Sequence, residues 1–315
     1  MGEARPGPSL EELLARHEWA AILGPYEALG QRFRVFVSDP ALAAFLEALY
    51  EPMQAVRAGT DSPRHTGADL VTFRVVTPAD DRAGAVARDS DLLGTSTQPA
   101  RILGLLQWAL NRRVIEEACV DRLILHAGGV DRGGRAVLVA GRMEAGKSTL
   151  TAGLLDRGFG YLSDEAVVVG ADLTVEGYAK PLSIDPGSWP VLSYLEPELP
   201  AELQTYLSRQ WQVAVSSLAP VVFRSRLTTL VLTRYQSGAD TTLERATPSW
   251  ALAELAHCTF VPEGQLLGAS RLRALATLVE RVPVHRLVSG DLHASTDAVV
   301  GVADLLPDDE GATAP

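Results

Sequence analysis

The stretch that most constrains this chain runs from Leu123 to Val169. In it Gly141, Gly146, Lys147 and Ser148 satisfy the pattern G-x-x-x-x-G-K-[ST]. The pattern has a meaning only where a buried strand leads in and a helix leads out, and both are legible. Ala136 to Ala140 is an apolar run fit for a buried strand, and Ser148 to Leu155 reads as a helix start. A glycine-rich turn there lets successive backbone N–H groups close on a polyphosphate at a helix N-terminus, and the lysine ammonium pairs with its outer oxygens. The expected nucleotide cradle is Gly141, Arg142, Met143, Glu144, Ala145, Gly146, Lys147, Ser148 and Thr149, with the Ser148 hydroxyl on Mg²⁺.

Lysine usage sharpens the reading, because the 28 basic residues comprise 26 Arg and only Lys147 and Lys180. Elsewhere this chain supplies its cations as Arg. A compact ammonium that a planar guanidinium replaces poorly is therefore retained at Lys147 for its chemistry. Asp164 and Glu165 follow Lys147 by 17 and 18 residues. That interval fits a helix of about three turns, a turn at Gly158 and a short strand, which brings the acidic pair back near the phosphates. Most motor-type and switch-type NTPases place their metal-binding acid much farther along the chain, so the spacing argues against those classes.

The arrangement resembles HPr kinase/phosphorylase and the wider set of related kinases, whose core is similar to that of phosphoenolpyruvate carboxykinase. The resemblance rests on the Gly141 to Ser148 loop, on Arg157-Gly158 ahead of Asp164-Glu165, and on His126, which stands 21 residues before the loop lysine. It extends over roughly residues 120 to 305, with Lys180-Pro181-Leu182-Ser183 and Leu230 to Tyr235 as weaker matches. It implies an α/β P-loop kinase core, ATP and Mg²⁺ as cofactors, and catalytic roles for His126, Lys147, Asp164 and Glu165. Asp164 would lie with Ser148 near the metal. Glu165 would take the proton of the accepting hydroxyl. His126 would contact the γ-phosphate or orient Glu165. Lys180 adds a further expected phosphate or substrate contact, a strand-end surface charge being its alternative.

Departures narrow the branch. HPr kinases proper carry Asp-Asp where this chain has Asp164-Glu165, and Ser-Gly where it has Met143-Glu144; their later Glu-Ile-Arg-Gly signature is not found. This favours a divergent kinase acting on a serine- or threonine-type hydroxyl of a protein or peptide. A small alcohol such as free serine, or a non-catalytic ATP-binding module, is the alternative.

Composition bounds the remainder. A 315-residue chain that is 47% hydrophobic can bury a sizeable core and fits two domains. No apolar run approaches the span of about 18 residues that a membrane helix needs, and the N-terminus lacks a basic-then-apolar signal pattern, so the cytoplasm is expected. The net charge of -11, with no basic cluster, argues against nucleic acid and anionic membrane as partners. Cys119 and Cys258 read as buried reduced thiols. His17, His65, His257, His285 and His293 show no zinc spacing.

Three segments are expected along the chain: a small α+β domain over 1–118, the kinase domain over 119–306, and a disordered tail over 307–315. Within the first, Met1 to Ser9 reads as disordered, Glu11 to Ile22 as an amphipathic helix ended by Gly24-Pro25, and Phe33 to Val37 as a strand. Asp39 should cap a helix over Ala41 to Leu49, Arg57 to Gly67 should be a loop, and Leu70 to Val76 another strand. Arg101 to Cys119 should be a long helix with Leu103, Leu106, Leu110 and Val114 on one face. This domain carries no catalytic constellation; a substrate-presenting role and a structural or homo-oligomer-forming role both stay open. Asp185 to Pro220, Pro-broken and bearing Trp189, Tyr194 and Trp211, reads either as a lid or docking surface or as a packed peripheral segment. A buried strand over Leu227 to Thr233, a turn at Ser237-Gly238 and helices over Pro248 to His257 and Ser270 to Arg281 complete the expectation.

Overall fold

The computed structural model describes residues 7–16, 18–54, 70–79 and 82–304. The expectations for residues 1–6, His17, the loop at 57–67 with His65, and the tail at 307–315 fall outside these residues. Among the described residues the chain is a mixed α/β structure of three sheets and eight α-helices. It divides into two compact units, one of Met1–Asp121 with Tyr178–Leu218 and the other of Arg122–Gly177 with Ala219–Pro315. The segment Tyr178–Leu218, expected within the second domain, belongs to the first unit.

The first unit opens with α1, Leu10–Ala15, nucleated by a capping box: the Ser9 hydroxyl accepts from the Glu12 N–H at 3.2 Å and the Glu12 carboxylate accepts from the Ser9 N–H at 2.6 Å. The expected helix to Ile22 is a correction. The helix ends at Ala15, and Ala21–Ala28 is instead strand β1. Gly24-Pro25, a plausible helix breaker, sits where the pairing of β1 with β2, Gln31–Val37, shifts register between Leu23 and Tyr26. β1 is the sheet's edge strand, and an edge irregularity tolerates a residue without an N–H. Asp39 caps α2, Pro40–Tyr50, by accepting from the Leu42 N–H at 2.7 Å. β3, Val71–Val76, β4, Gly84–Arg88, and β5, Asp91–Ser96, complete a five-stranded sheet in sequential order. α3, Pro99–Ala118, covers it with Leu103, Leu106, Leu110 and Val114 buried on the expected face.

The second unit begins with the hairpin β6, Leu123–Arg132, and β7, Arg135–Ala140. α4, Lys147–Asp156, then leads through a turn at Gly158 into β8, Gly160–Ser163, followed by β9, Ala166–Val169, and β10, Thr174–Gly177. The chain next returns to the first unit for β11, Leu182–Ile184, α5, Ala201–Gln204, and β12, Trp211–Val213, with β11 and β12 paired antiparallel. Here Trp189 stacks on Trp211 at a centroid distance of 4.8 Å and an angle of 6°. Leu192, Leu203 and Leu207 are buried in the same segment.

Back in the second unit come β13, Arg224–Tyr235, β14, Thr242–Arg245, α6, Pro248–His257, α7, Ala269–Arg281, β15, Val284–Ser289, and α8, Leu292–Asp304. Its sheet runs β10-β9-β6-β7-β13-β15-β14, with β8 also on β6 and the start of β13 pairing with β10. β7, β13 and β15 are mutually parallel and covered on both faces. Ala136, Leu138 and Ala140 pack with Leu255 of α6 and Leu275 and Leu278 of α7, while α4 and α8 lie against the unit's strands and against each other. Two-sided cover explains why β7 reads as an uninterrupted apolar run. No helix among the described residues is long and apolar enough to cross a membrane.

Candidate functional site

The loop between β7 and α4 is built by two glycines. Gly146 caps α4 with φ +85, a left-handed conformation that side chains disfavour. At Gly141 a Cβ would lie 2.6 Å from the Thr233 carbonyl oxygen, so only glycine lets the loop leave β7 this close to β13. The loop is tied down at its far end by the Tyr235 N–H donating to the Ala145 carbonyl at 3.1 Å. Between the glycines Arg142, Met143 and Glu144 are exposed. Glu144, at φ +62, does not pair with Arg142, whose Nε instead lies 3.5 Å from Glu254.

Lys147 opens α4, and its ammonium folds back to donate to the carbonyls of Gly141 and Arg142, at 3.0 Å each. The side chain is 7% exposed. Burial pushes its pKa down, opposed by the fields of Cys258, Glu165 and Asp164. The two acids expected from the spacing are thus among the charges that act on the loop lysine. Ser148 and Thr149 follow on the first turn of α4, both partly buried.

The acidic pair occupies a break in what is otherwise one long strand along β6. β8 pairs with Gly129 to Asp131 and β9 with Leu123 to His126, both antiparallel. Between them the Ser163 hydroxyl accepts from the N–H groups of both Glu165 and Ala166 at 3.1 Å, and Ala127 donates to the Glu165 carbonyl at 3.2 Å. Asp164 is 3% exposed, with one carboxylate oxygen accepting from the Tyr161 hydroxyl at 3.2 Å. Glu165 is less buried, and its Oε1 lies 3.6 Å from Nε2 of His126. His126 is held from behind: its N–H donates to the Cys258 carbonyl at 2.6 Å and its ring packs on Phe260 at 5.4 Å.

No family model matches the sequence, and no curated protein is found to be similar to it. Among solved structures, the chain is compared with the Hpr(Ser) kinase/phosphatase from Coxiella burnetii at 12% identity and a TM-score of 0.27, over 58% of this chain and 92% of that one. A likeness this weak carries no argument.

The structure brings His126, Lys147, Asp164 and Glu165 together in the second unit with the Gly141–Ser148 loop. Lys180 lies in the first unit, 4% exposed, donating to the Pro181 carbonyl at 3.1 Å and the Ser183 hydroxyl at 2.9 Å. Among the described residues no group of three or more His, Cys, Asp or Glu could hold a metal. Hard oxygen donors are what Ser148 and Asp164 offer. Sequence reasoning missed Tyr161, Ser163 and Phe260. Tyr161 and Ser163 stand within three residues of Asp164, the one signal that could have drawn attention to them. Phe260 lies over a hundred residues from His126 and had no such signal.

Proposed function

We propose that this chain is an ATP-dependent kinase that passes the γ-phosphate to a serine- or threonine-type hydroxyl of a protein or peptide. The observation that carries the reading is the buried lysine ammonium at the N-terminus of α4, folded onto the Gly141 and Arg142 carbonyls of the glycine-built loop, in one unit with the Glu165 carboxylate 3.6 Å from His126. A cation and helix-terminal amides favour the phosphates, while that carboxylate serves as a base for the acceptor.

In this reading the Gly141–Ser148 amides and Lys147 hold the polyphosphate, Lys147 exchanging the loop carbonyls for phosphate oxygens. Ser148 and Asp164 would hold Mg²⁺, which when bound supplies neutralising charge on the β- and γ-phosphates. The Glu165 carboxylate accepts the proton of the attacking hydroxyl as its oxygen bonds to the γ-phosphorus and the β–γ bridging bond breaks. His126, 3.6 Å away, orients that carboxylate. Preorganised charge of this kind lowers the barrier because it needs no rearrangement during transfer.

The test incubates the protein with γ-labelled ATP and either a peptide pool or single amino acids. Label on a peptide supports the proposal. Label on free serine identifies the small-alcohol alternative, free phosphate alone identifies a hydrolase, and no turnover identifies an ATP-binding module. Glu165→Gln should keep ATP binding and lose transfer; loss of both would assign Glu165 to structure instead.

A further inference from the structure

From the geometry we infer that Tyr161 is a positioning residue for this reaction: its hydroxyl fixes the rotamer of the Asp164 carboxylate and so sets the affinity of the metal position. The inference rests on the reading of Asp164 as a metal ligand and adds a residue to it.

Tyr161 is packed and tied in place. Its side chain is fully buried, and its backbone is held on both sides: its N–H donates to the Pro220 carbonyl and its carbonyl accepts from Val222, each at 2.8 Å. It also pairs with Val130 across the β6–β8 ladder. In a regular strand residues 161 and 164 would face opposite sides of the sheet. They meet because the chain breaks between β8 and β9, where the Ser163 hydroxyl takes up the N–H groups of Glu165 and Ala166. The break thus turns the Asp164 carboxylate onto the Tyr161 hydroxyl at 3.2 Å. A carboxylate can only accept, so the phenol is the donor.

Such an arrangement does for a carboxylate what outer partners do for metal-bound side chains generally. It removes the rotational freedom that the ligand would otherwise lose on binding the ion. Mg²⁺ and Mn²⁺ sites with few protein ligands depend strongly on each, since octahedral geometry is demanding and the remaining positions belong to water and phosphate. The apolar ring would also serve as core if it were Phe, so the hydroxyl is the part with a separate role.

The test measures Mn²⁺ binding to the full chain saturated with a non-hydrolysable ATP analogue, by electron paramagnetic resonance of the free ion. Tyr161→Phe should weaken Mn²⁺ by about 10-fold or more, the range seen when an outer partner is lost. Nucleotide affinity in EDTA should stay unchanged. On an Asp164→Asn background the same change should have almost no further effect, because the two act through one group. If Asp164→Asn weakens Mn²⁺ while Tyr161→Phe does not, or if the two losses add independently, this inference is wrong and the metal-ligand reading survives. If Asp164→Asn leaves Mn²⁺ binding intact, the reading itself fails and the inference with it. Circular dichroism checks that Tyr161→Phe is folded; should it not be, Tyr161→Met removes the same hydroxyl and carries the same expectations.

Discussion

Replacing Lys147 by Met separates folding from function, since the two should respond with different magnitudes. The ammonium makes two 3.0 Å bonds to the carbonyls of Gly141 and Arg142 while its side chain is 7% exposed. Each charge-assisted bond is worth about 1.5–3 kcal/mol when broken. Against this, burial already disfavours the charged lysine, so removing the charge recovers part of its desolvation cost. The two bonds, roughly 3–6 kcal/mol together, outweigh the recovered desolvation, so the variant's Tm without nucleotide should fall by ~2–4 °C for each kcal/mol of net loss.

Nucleotide binding has no such compensation. At a Mg-ATP concentration 100 times Kd the wild type gains about 2.7 kcal/mol, a rise of roughly 5–10 °C. Losing one charge-assisted contact weakens Kd by about 10- to 150-fold, which cuts that gain to half or less. Transfer should fall further, by about 10²–10³, because the lysine also meets charge that develops in the transition state. Differential scanning fluorimetry with and without Mg-ATP, beside the labelled-phosphate assay, reads all three quantities. A variant that keeps the full nucleotide shift and its transfer rate would refute the assignment of this loop.

Other expectations are more local. Gly141→Ala puts a methyl group 2.6 Å from the Thr233 carbonyl and 2.9 Å from the Ala145 Cβ, so the loop must shift; fluorimetry should show the Mg-ATP stabilisation lost with the protein still folded. His285, on β15, has a buried Nδ1 with no hydrogen-bond partner among the described residues, and burial, helped by the Arg245 charge, pushes its pKa below 6.5. The unfolded chain then binds that proton first, so stability should fall as pH drops below 6.5 towards the lower folded value. His285→Gln should flatten that part of the urea-midpoint curve, and parallel curves for the two proteins would count against the account. Asp39→Ala should cost about 1 kcal/mol in urea unfolding through loss of the α2 cap, and Asp39→Asn should recover most of it.

The segments legible in the sequence were those whose constraint is local. The β7–loop–α4 unit needs a buried strand, two glycines and a helix start in fixed order, and all of these announce themselves. The same is true of Asp39 before Pro40 and of the α3 face. β1 was misread because the run from Glu11 to Ile22 has helical character, whereas the capping box at Ser9 supports only two turns and pairing with β2 claims the rest. β4 and β5 went unremarked because Gly84, Ala85, Ala87 and Gly94 have little strand preference, and Asp89, at φ +47, turns one strand into the next. Tertiary pairing decides such strands. At the site, the acids were visible from their distance to Lys147, but the break that aims them depends on β6 accepting two short strands in line, which no local pattern encodes.

The excursion of Tyr178–Leu218 has a practical consequence for anyone dividing the molecule. A fragment stopping at Asp121 would lack Tyr178, whose hydroxyl meets the Asn111 amide oxygen at 3.0 Å, together with the leucines buried beyond β11. A fragment starting at Arg122 would carry those residues with nothing of their own unit around them. Isolating the loop-bearing unit takes both a truncation and a deletion: a fragment starting at Arg122 in which a short flexible joint splices Gly177 to Ala219.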